Sequence, residues 1–447
     1  MRICVRAIKK RMPIFYNDSE IEGTRMSQKL YSRIHIVFFA VHIAMLLAAF
    51  ISYLAVGELW LSLSMLAVFG CVATFSLATF FLNLPPLYLL PAAGLLVMDT
   101  SFLNFTTVGY NHLYLIDAII LIAGAVGLSV LLFLSKSKIK KSGVPFLAGF
   151  LVAVLVSGLG FGIPSGMERN AKEVGFARFQ VPSFVDSVEV SEADKGKVED
   201  VYYDTKHYAT NEAPIQKRAQ VYLPPHYDSS KSYNILYLLH GTGDDEIYWL
   251  TTNHQNKVML DNLINMKAIN PLIVVTPTWY VGDDCADDLD QLTWSFKKEL
   301  RNDLMPAIES KYSTFTEGAV DPNAFASTRD HRAFAGLSRG AVTTYHSVFM
   351  ESLDYFSYIG TFSGSRTTAA QLKEALERNS FLDLPIHYYY AAAGTFDFAE
   401  PLLYSQYNDY LKLGLKIENT RFDAVPFRYH SMGNWHVNLY NYLQLIF

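Results

Sequence analysis

The 447-residue chain carries 37 Lys/Arg against 42 Asp/Glu, a net charge of −5, and is long for a single domain. The charge is divided unevenly: residues 1–168 hold 12 Lys/Arg and 7 Asp/Glu, the remainder 25 and 35. An acidic C-terminal part without a basic stripe excludes nucleic acid as a partner, and the scatter of Cys4, Cys71 and Cys285 excludes a disulfide within that part.

Residues 1–33 read as a basic cytoplasmic tail, with Met26 an alternative start. Five apolar segments follow, Ile34–Val56, Leu59–Leu82, Leu84–Leu103, Leu113–Leu134 and Pro145–Ile163, each near the roughly 20 residues that a helix needs to cross a bilayer. Leu84–Leu103 is the poorest, because it contains Pro85, Pro86, Pro91 and Asp99. Charge decides its case. Lys and Arg beside short loops stay in the cytoplasm; eight precede the first span, Lys136, Lys138, Lys140 and Lys141 precede the last, and none lies between Ile34 and Ser135. An even number of crossings must separate the two clusters, so Leu84–Leu103 crosses and the final span exports the C-terminal half. A cleaved leader would not explain four further apolar segments. The expectation is an N-terminal all-α transmembrane bundle over residues 34–165, with membrane lipid as a partner. Gly158, Gly160 and Gly162 have a spacing that permits close helix approach but read as packing-neutral; Asp99 and Asp117, ionisable groups at or near membrane depth, are functional candidates by default with interfacial placement as the alternative; His35 with His42 read as interfacial or packing residues rather than metal ligands.

Residues 166–200 are polar and aperiodic, which suggests a stalk, with a folded domain over 201–447. From Ala219 onward short β-branched and aromatic runs alternate with helical patterns. Strands are expected at Ile235–Leu239, Leu272–Thr276, Ala333–Leu337, Tyr358–Phe362 and His387–Ala393, with another at Pro426–Tyr429. Helices are expected at Trp249–Met266, Phe296–Tyr312, Ala341–Met350, Thr368–Arg378, Leu402–Leu413 and His436–Leu445. Such alternation implies a mostly parallel sheet covered on both faces by helices, with a site where strands give way to loops.

Gly336-Leu337-Ser338-Arg339-Gly340 is a Gly-x-Ser-x-Gly turn between an expected strand and an expected helix. A nucleophilic serine on such an α/β-hydrolase turn must be exposed, and a Cβ at either flanking glycine would collide with its neighbours. The serine needs a base and a carboxylate to orient it, in chain order Ser, acid, His. Asp397 ends an expected strand in Gly394-Thr395-Phe396-Asp397, and His430 follows another; His436 is the alternative base. An oxyanion requires donors. Leu238-Leu239-His240-Gly241-Thr242-Gly243 runs from a strand into a glycine-bearing turn, so the backbone amides of Thr242 and Arg339 are assigned to it, and His240 is read as bracing that turn.

The blocks Tyr237 to Glu246 with Trp249, Ile273 to Pro277, Gly336-Leu337-Ser338, Phe362-Ser363-Gly364 and Leu439 to Leu443 resemble the putative esterase family, which includes feruloyl and acetyl xylan esterases, esterase D type enzymes and mycolyltransferases. The resemblance covers Val201 to Phe447 and does not reach the membrane half. It implies Asp397 as the acid rather than Asp383, Asp409 or Asp423. It also implies His430 as the base, since His430, Trp435, Leu439, Asn441 and Leu443 match the family's ending. Two departures stand beside the nucleophile: Arg339 and Ala341 where Met and Gly are frequent. The charged Arg339 would bias the site toward an anionic substrate if its side chain faced it. Ser431 and Met432, too, replace an acidic and an aromatic residue after the histidine.

Trp249, Trp279 and Trp435 are the candidates to stack on a sugar or aryl ring, along with Tyr280 and Trp294, with core packing the safer reading for at least two of the five. His331 and His346 read as turn and helix-face residues. Asp283, Asp284, Asp287, Asp288 and Asp290 form an acidic loop that lacks EF-hand spacing and reads as solvated, so neither metal nor cofactor is expected. The composite expectation is a membrane-anchored, extracytoplasmic serine esterase acting on acylated glycan or lipid. An acyltransferase using the same acyl-enzyme is one alternative, and a retired hydrolase scaffold serving as a receptor is another.

Overall fold

The computed structural model describes residues 166–281, 288–425 and 428–447. The basic tail, the five expected spans and Asp283, Asp284 and Asp287 lie outside the described residues. Among the described residues no helix is long and apolar enough to cross a membrane.

Eight strands form one sheet: β1 (Lys197–Lys206), β2 (Pro214–Leu223), β3 (Asn234–Leu239), β4 (Leu272–Thr276), β5 (Arg332–Leu337), β6 (Tyr358–Phe362), β7 (Ile386–Gly394) and β8 (Ile417–Val425). Their order is β1-β2-β4-β3-β5-β6-β7-β8. The first two pair antiparallel, β2 meets β4 antiparallel, and β4 through β8 are parallel. The main helices are α1 (Gln255–Asn265), α2 (Leu289–Glu299), α3 (Arg339–Thr343, extended by π-helical turns over Thr344–Phe349), α4 (Ala369–Asn379), α5 (Glu400–Leu411) and α6 (Met432–Leu443).

Strand residues alternate between faces, and each face has its own core. Ile235, Tyr237 and Leu239 of β3, with Tyr389, Ala391 and Ala393 of β7, pack against α2, the α3 extension, α4 and α5. Leu236, Leu238, Tyr390 and Ala392 point the other way, onto α1 and α6. Both faces of the parallel strands are therefore buried, which is why they read as unbroken apolar runs.

Two expectations are corrected. Of the strand foreseen at Pro426–Tyr429, Pro426 and Phe427 lie outside the described residues and Arg428–Tyr429 are not in a strand, the last strand being Ile417–Val425; as the outermost strand, with a half-exposed face, it carries Glu418, Asn419, Arg421 and Asp423 and so lacks the apolar signature. The stretch foreseen as a stalk is a strap. Ala177, Val181 and Val185 are buried in the α1/α6 core. Asn441 donates to Ala177 O at 2.8 Å and accepts from its N–H at 2.9 Å. Asn262 donates to the carbonyls of Val185 and Val188. A few anchored apolar residues hold this segment, with no periodic pattern to announce it.

Candidate active site

β5 ends in the Gly336–Gly340 turn, and the two glycines are there for contact. A Cβ on Gly336 would run into the backbone of Gly340, and one on Gly340 into the carbonyls of His240 and Leu239. The turn thus lies directly against the end of β3. Ser338 at its apex has φ 49° and ψ −116°, a backbone conformation that non-glycine residues seldom adopt and that persists only where its surroundings enforce it. Its N–H donates to Phe362 O at 2.8 Å, and Gly364 sits so close to Ser338 O that a side chain there is impossible.

β7 delivers Asp397 through a turn closed by Asp397 N–H to Gly394 O at 2.9 Å. His430 comes from the loop between β8 and α6. The Arg428 guanidinium anchors that loop by donating to Phe179 O of the strap at 2.7 Å. Asp397 is fully buried and its Oδ1 lies 2.9 Å from His430 Nδ1. A carboxylate only accepts, so Nδ1 carries the hydrogen. Nε2 is then the acceptor facing Ser338 Oγ, 2.9 Å away. The three residues far apart in sequence converge in one hydrogen-bonded chain.

The alternatives are placed elsewhere. The His436 ring bonds Asn256 Oδ1 through Nδ1 at 2.7 Å and lies 3.7 Å from Asp186. Asp383 and Asp409 pair with Lys416 and Lys412, and Asp423 accepts from Tyr390.

The β3 turn lies beside the serine, for a Cβ on Gly241 would come 3.2 Å from Ser338 Cβ. Thr242 is exposed at its tip. Arg339 is the first residue of α3, where a backbone N–H has no acceptor within the helix. His240 is fully buried, donates from Nδ1 to Gly241 O at 2.8 Å and accepts at Nε2 from Thr278 Oγ1 at 2.7 Å. Burial pushes it down to about 4, so it stays neutral and braces the turn.

Of the stacking candidates, Trp249 and Trp279 take the core-packing reading instead. Trp249 and Trp279 are buried, with their indole N–H groups on the carbonyls of Leu239 and His240; they support the turn from behind and present no free face. Trp435 is buried edge-on to the His430 ring at 5.0 Å. Trp294 is the exposed one, 5.8 Å from the His346 ring. Tyr280 accepts from Gly243 N–H at 2.9 Å.

Two neighbours were not singled out from sequence. Phe398 lies against His430 at a tilt, with ring centroids 4.2 Å apart; its place directly after Asp397 was the available signal. Asp244 closes the β3 turn, and burial raises its carboxyl above the usual range, although the Gly241 amide and the His430 charge pull the other way. Among the described residues no group of His, Cys, Asp and Glu is arranged to hold a metal ion.

The family profile described as Putative esterase matches residues 211–399, a stretch that includes Ser338 and Asp397 and stops short of His430. A solved structure described as FAE is 30% identical, with a TM-score of 0.51, and the match covers 62% of this chain and 95% of that one. The chain belongs to the putative esterase family. Endo-1,4-beta-xylanase Y of Acetivibrio thermocellus is 37% identical over 190 residues, which cover 40% of this chain. An endo-1,4-beta-xylanase/feruloyl esterase of Xylanibacter ruminicola is 30% identical over 162 residues, or 35% of this chain. The matched stretches span 16% and 20% of those two longer proteins. The esterase family likeness therefore belongs to the C-terminal domain of this chain and to one module of each relative.

Proposed function

We propose that this putative esterase domain is a serine esterase that cleaves carboxylic esters through an acyl-enzyme. Ser338 Oγ attacks the ester carbonyl carbon as its proton passes to His430 Nε2. The negative charge forming on the carbonyl oxygen is met by the amides of Thr242 and Arg339. His430 then gives the proton to the departing alcohol, and water repeats the sequence to free the acid and restore the serine. Asp397 holds the imidazole in the required tautomer and offsets the positive charge it acquires.

The observation that carries this reading is the pair of 2.9 Å contacts that His430 makes to Ser338 and Asp397. The names of the relatives favour feruloyl esters of xylan, and Phe398 beside the base, with exposed Tyr429 nearby against Phe396, suits an aromatic acyl group. The charge asymmetry of the first 165 residues supports membrane anchoring with this domain outside the cytoplasm.

The test is labelling of the folded chain by a fluorophosphonate, followed by turnover of acetyl, feruloyl and longer acyl esters with and without glycan acceptors. Labelling that Ser338→Ala abolishes, together with ester turnover, is expected. A folded protein that takes no label returns the chain to the receptor reading.

A further inference from the structure

Two guanidinium groups, carried by chain segments that adjoin the proposed nucleophile turn, share a single carboxylate. Arg339 follows Ser338 directly. Arg366 lies just past the Phe362-Ser363-Gly364 segment that packs under the serine. Both bond Asp290 Oδ1, Arg339 through Nη1 and Arg366 through its own Nη1 at 2.9 Å. Asp290 sits in the first turn of α2. Burial works to raise its carboxyl, but the Arg339 hydrogen bond and the two positive charges outweigh it and hold the group below the ordinary range.

The charged neighbours of this cluster bear on what it can bind. His346, which packs beside Asp290, is pushed down to about 4 by burial and is uncharged at neutral pH. The Asp288 carboxylate, which caps α2 by accepting from the N–H groups of Asp290 and Gln291, adds a second negative charge close by, so what the pair offers an anion is unoccupied donors rather than surplus charge. A guanidinium has five donors in a planar fork suited to carboxylate and phosphate oxygens, and one carboxylate oxygen cannot occupy two such forks. The Arg366 side chain is 55% exposed, so donors remain open toward solvent.

We infer that Arg339 and Arg366, relayed by Asp290, select ester substrates that carry a second, anionic group, a carboxylate or a phosphate, next to the bond that is cut. This rests on the esterase reading above and specifies its substrate class. Asp290 acts as an internal stand-in for that anion: it holds the two forks in place, and an incoming anion takes the donors it leaves free. The side chain at position 339 thereby has a task separate from that of its backbone amide.

The experiment compares matched esters on the full chain. On the acyl side, p-nitrophenyl hemisuccinate is set against its neutral methyl ester; on the alcohol side, 4-acetoxybenzoate against methyl 4-acetoxybenzoate. A phosphate-bearing aryl acetate is included to separate the two anion types. The ratio of kcat/KM for the anionic to the neutral partner is the readout. It is expected to exceed about tenfold in at least one pair, as one partly screened charge contact provides, and to shrink with added salt. Arg366→Gln, at an exposed position where folding is not at risk, and Arg339→Met should each bring the ratio toward one. Asp290→Asn should raise it, because a negative charge that repels the incoming anion is gone, whereas a merely structural role for Asp290 would leave it unchanged. Neutral esters hydrolysed as well as anionic ones would overturn the inference while leaving the esterase standing, and a ratio that survives Arg366→Gln and Arg339→Met together would do the same. No hydrolysis of either partner, with no fluorophosphonate labelling, would overturn both.

Discussion

Asp397→Asn isolates the electrostatic part of the proposed chemistry. In the wild type, Asp397 Oδ1 accepts from His430 Nδ1–H and from the Ala399 amide, each at 2.9 Å. Ala399 N–H fixes which way an asparagine can sit. Its carbonyl oxygen must replace Oδ1, because an NH2 group there would face two donors. The histidine therefore keeps its tautomer and loses only the charge opposite. Treated as unit charges about 4 Å apart at an effective dielectric near 20, carboxylate and imidazolium attract by about 4 kcal/mol, roughly a thousandfold in rate. The assay is steady-state turnover of a chromogenic ester that wild type accepts, at neutral pH, with circular dichroism to confirm folding. A loss of two to four decades in kcat at nearly constant KM is the expected outcome. A loss below about tenfold would mean that the buried carboxylate does not support charge on His430 and that the reasoning is wrong.

Other expectations follow from particular contacts. Gly340→Ala drives a methyl group into the backbone carbonyls of Leu239 and His240 and should cost at least about 1–3 kcal/mol, read as a lower urea midpoint. His436→Gln should keep fluorophosphonate labelling, since this ring bonds Asn256 and not the serine, whereas His430→Gln should lose it; labelling lost in the first and kept in the second would reverse the assignment. Burial places His240 at about 4 against an ordinary 6.5, so the unfolded chain takes up a proton that the folded one refuses. Stability from this group is complete above about 6.5 and falls as the pH drops toward 4, by about 3 kcal/mol in all. Chemical denaturation at several pH values should show this slope, and His240→Asn should flatten it. His346 acts in the same sense.

How much was legible depended on whether a residue's role was local. Strands β3 to β7 were readable because both of their faces are covered and the chain there must be apolar throughout. The parts of the site were readable because each is tied to a turn with glycine or strand-end chemistry of its own. α2 begins at Leu289 and not near Phe296; its first turn is polar, and the Asp288 cap was the signal to weigh. β8 and the strap were hidden because an edge strand and a segment held by side-chain amides have no periodicity. Which of the tryptophans pack in the core was hidden for a related reason: composition shows that an indole has an apolar body and a polar tip, but not that the carbonyls of Leu239 and His240 would claim the tip. Arg339 drew notice by itself, whereas its partners Asp290 and Arg366 are neighbours only after folding.

The strap also sets an order of assembly. Ala177 and Phe179 leave the ribosome long before Asn441 and Arg428, the partners that hold them 264 and 249 positions downstream. Pairings that close such long loops form slowly and late. A nascent chain that already has its nucleophile turn still lacks the helix, the loop and the base that the strap secures. Under the proposed mechanism Ser338 has no base to take its proton during synthesis, and it gains one only when the last helix has docked.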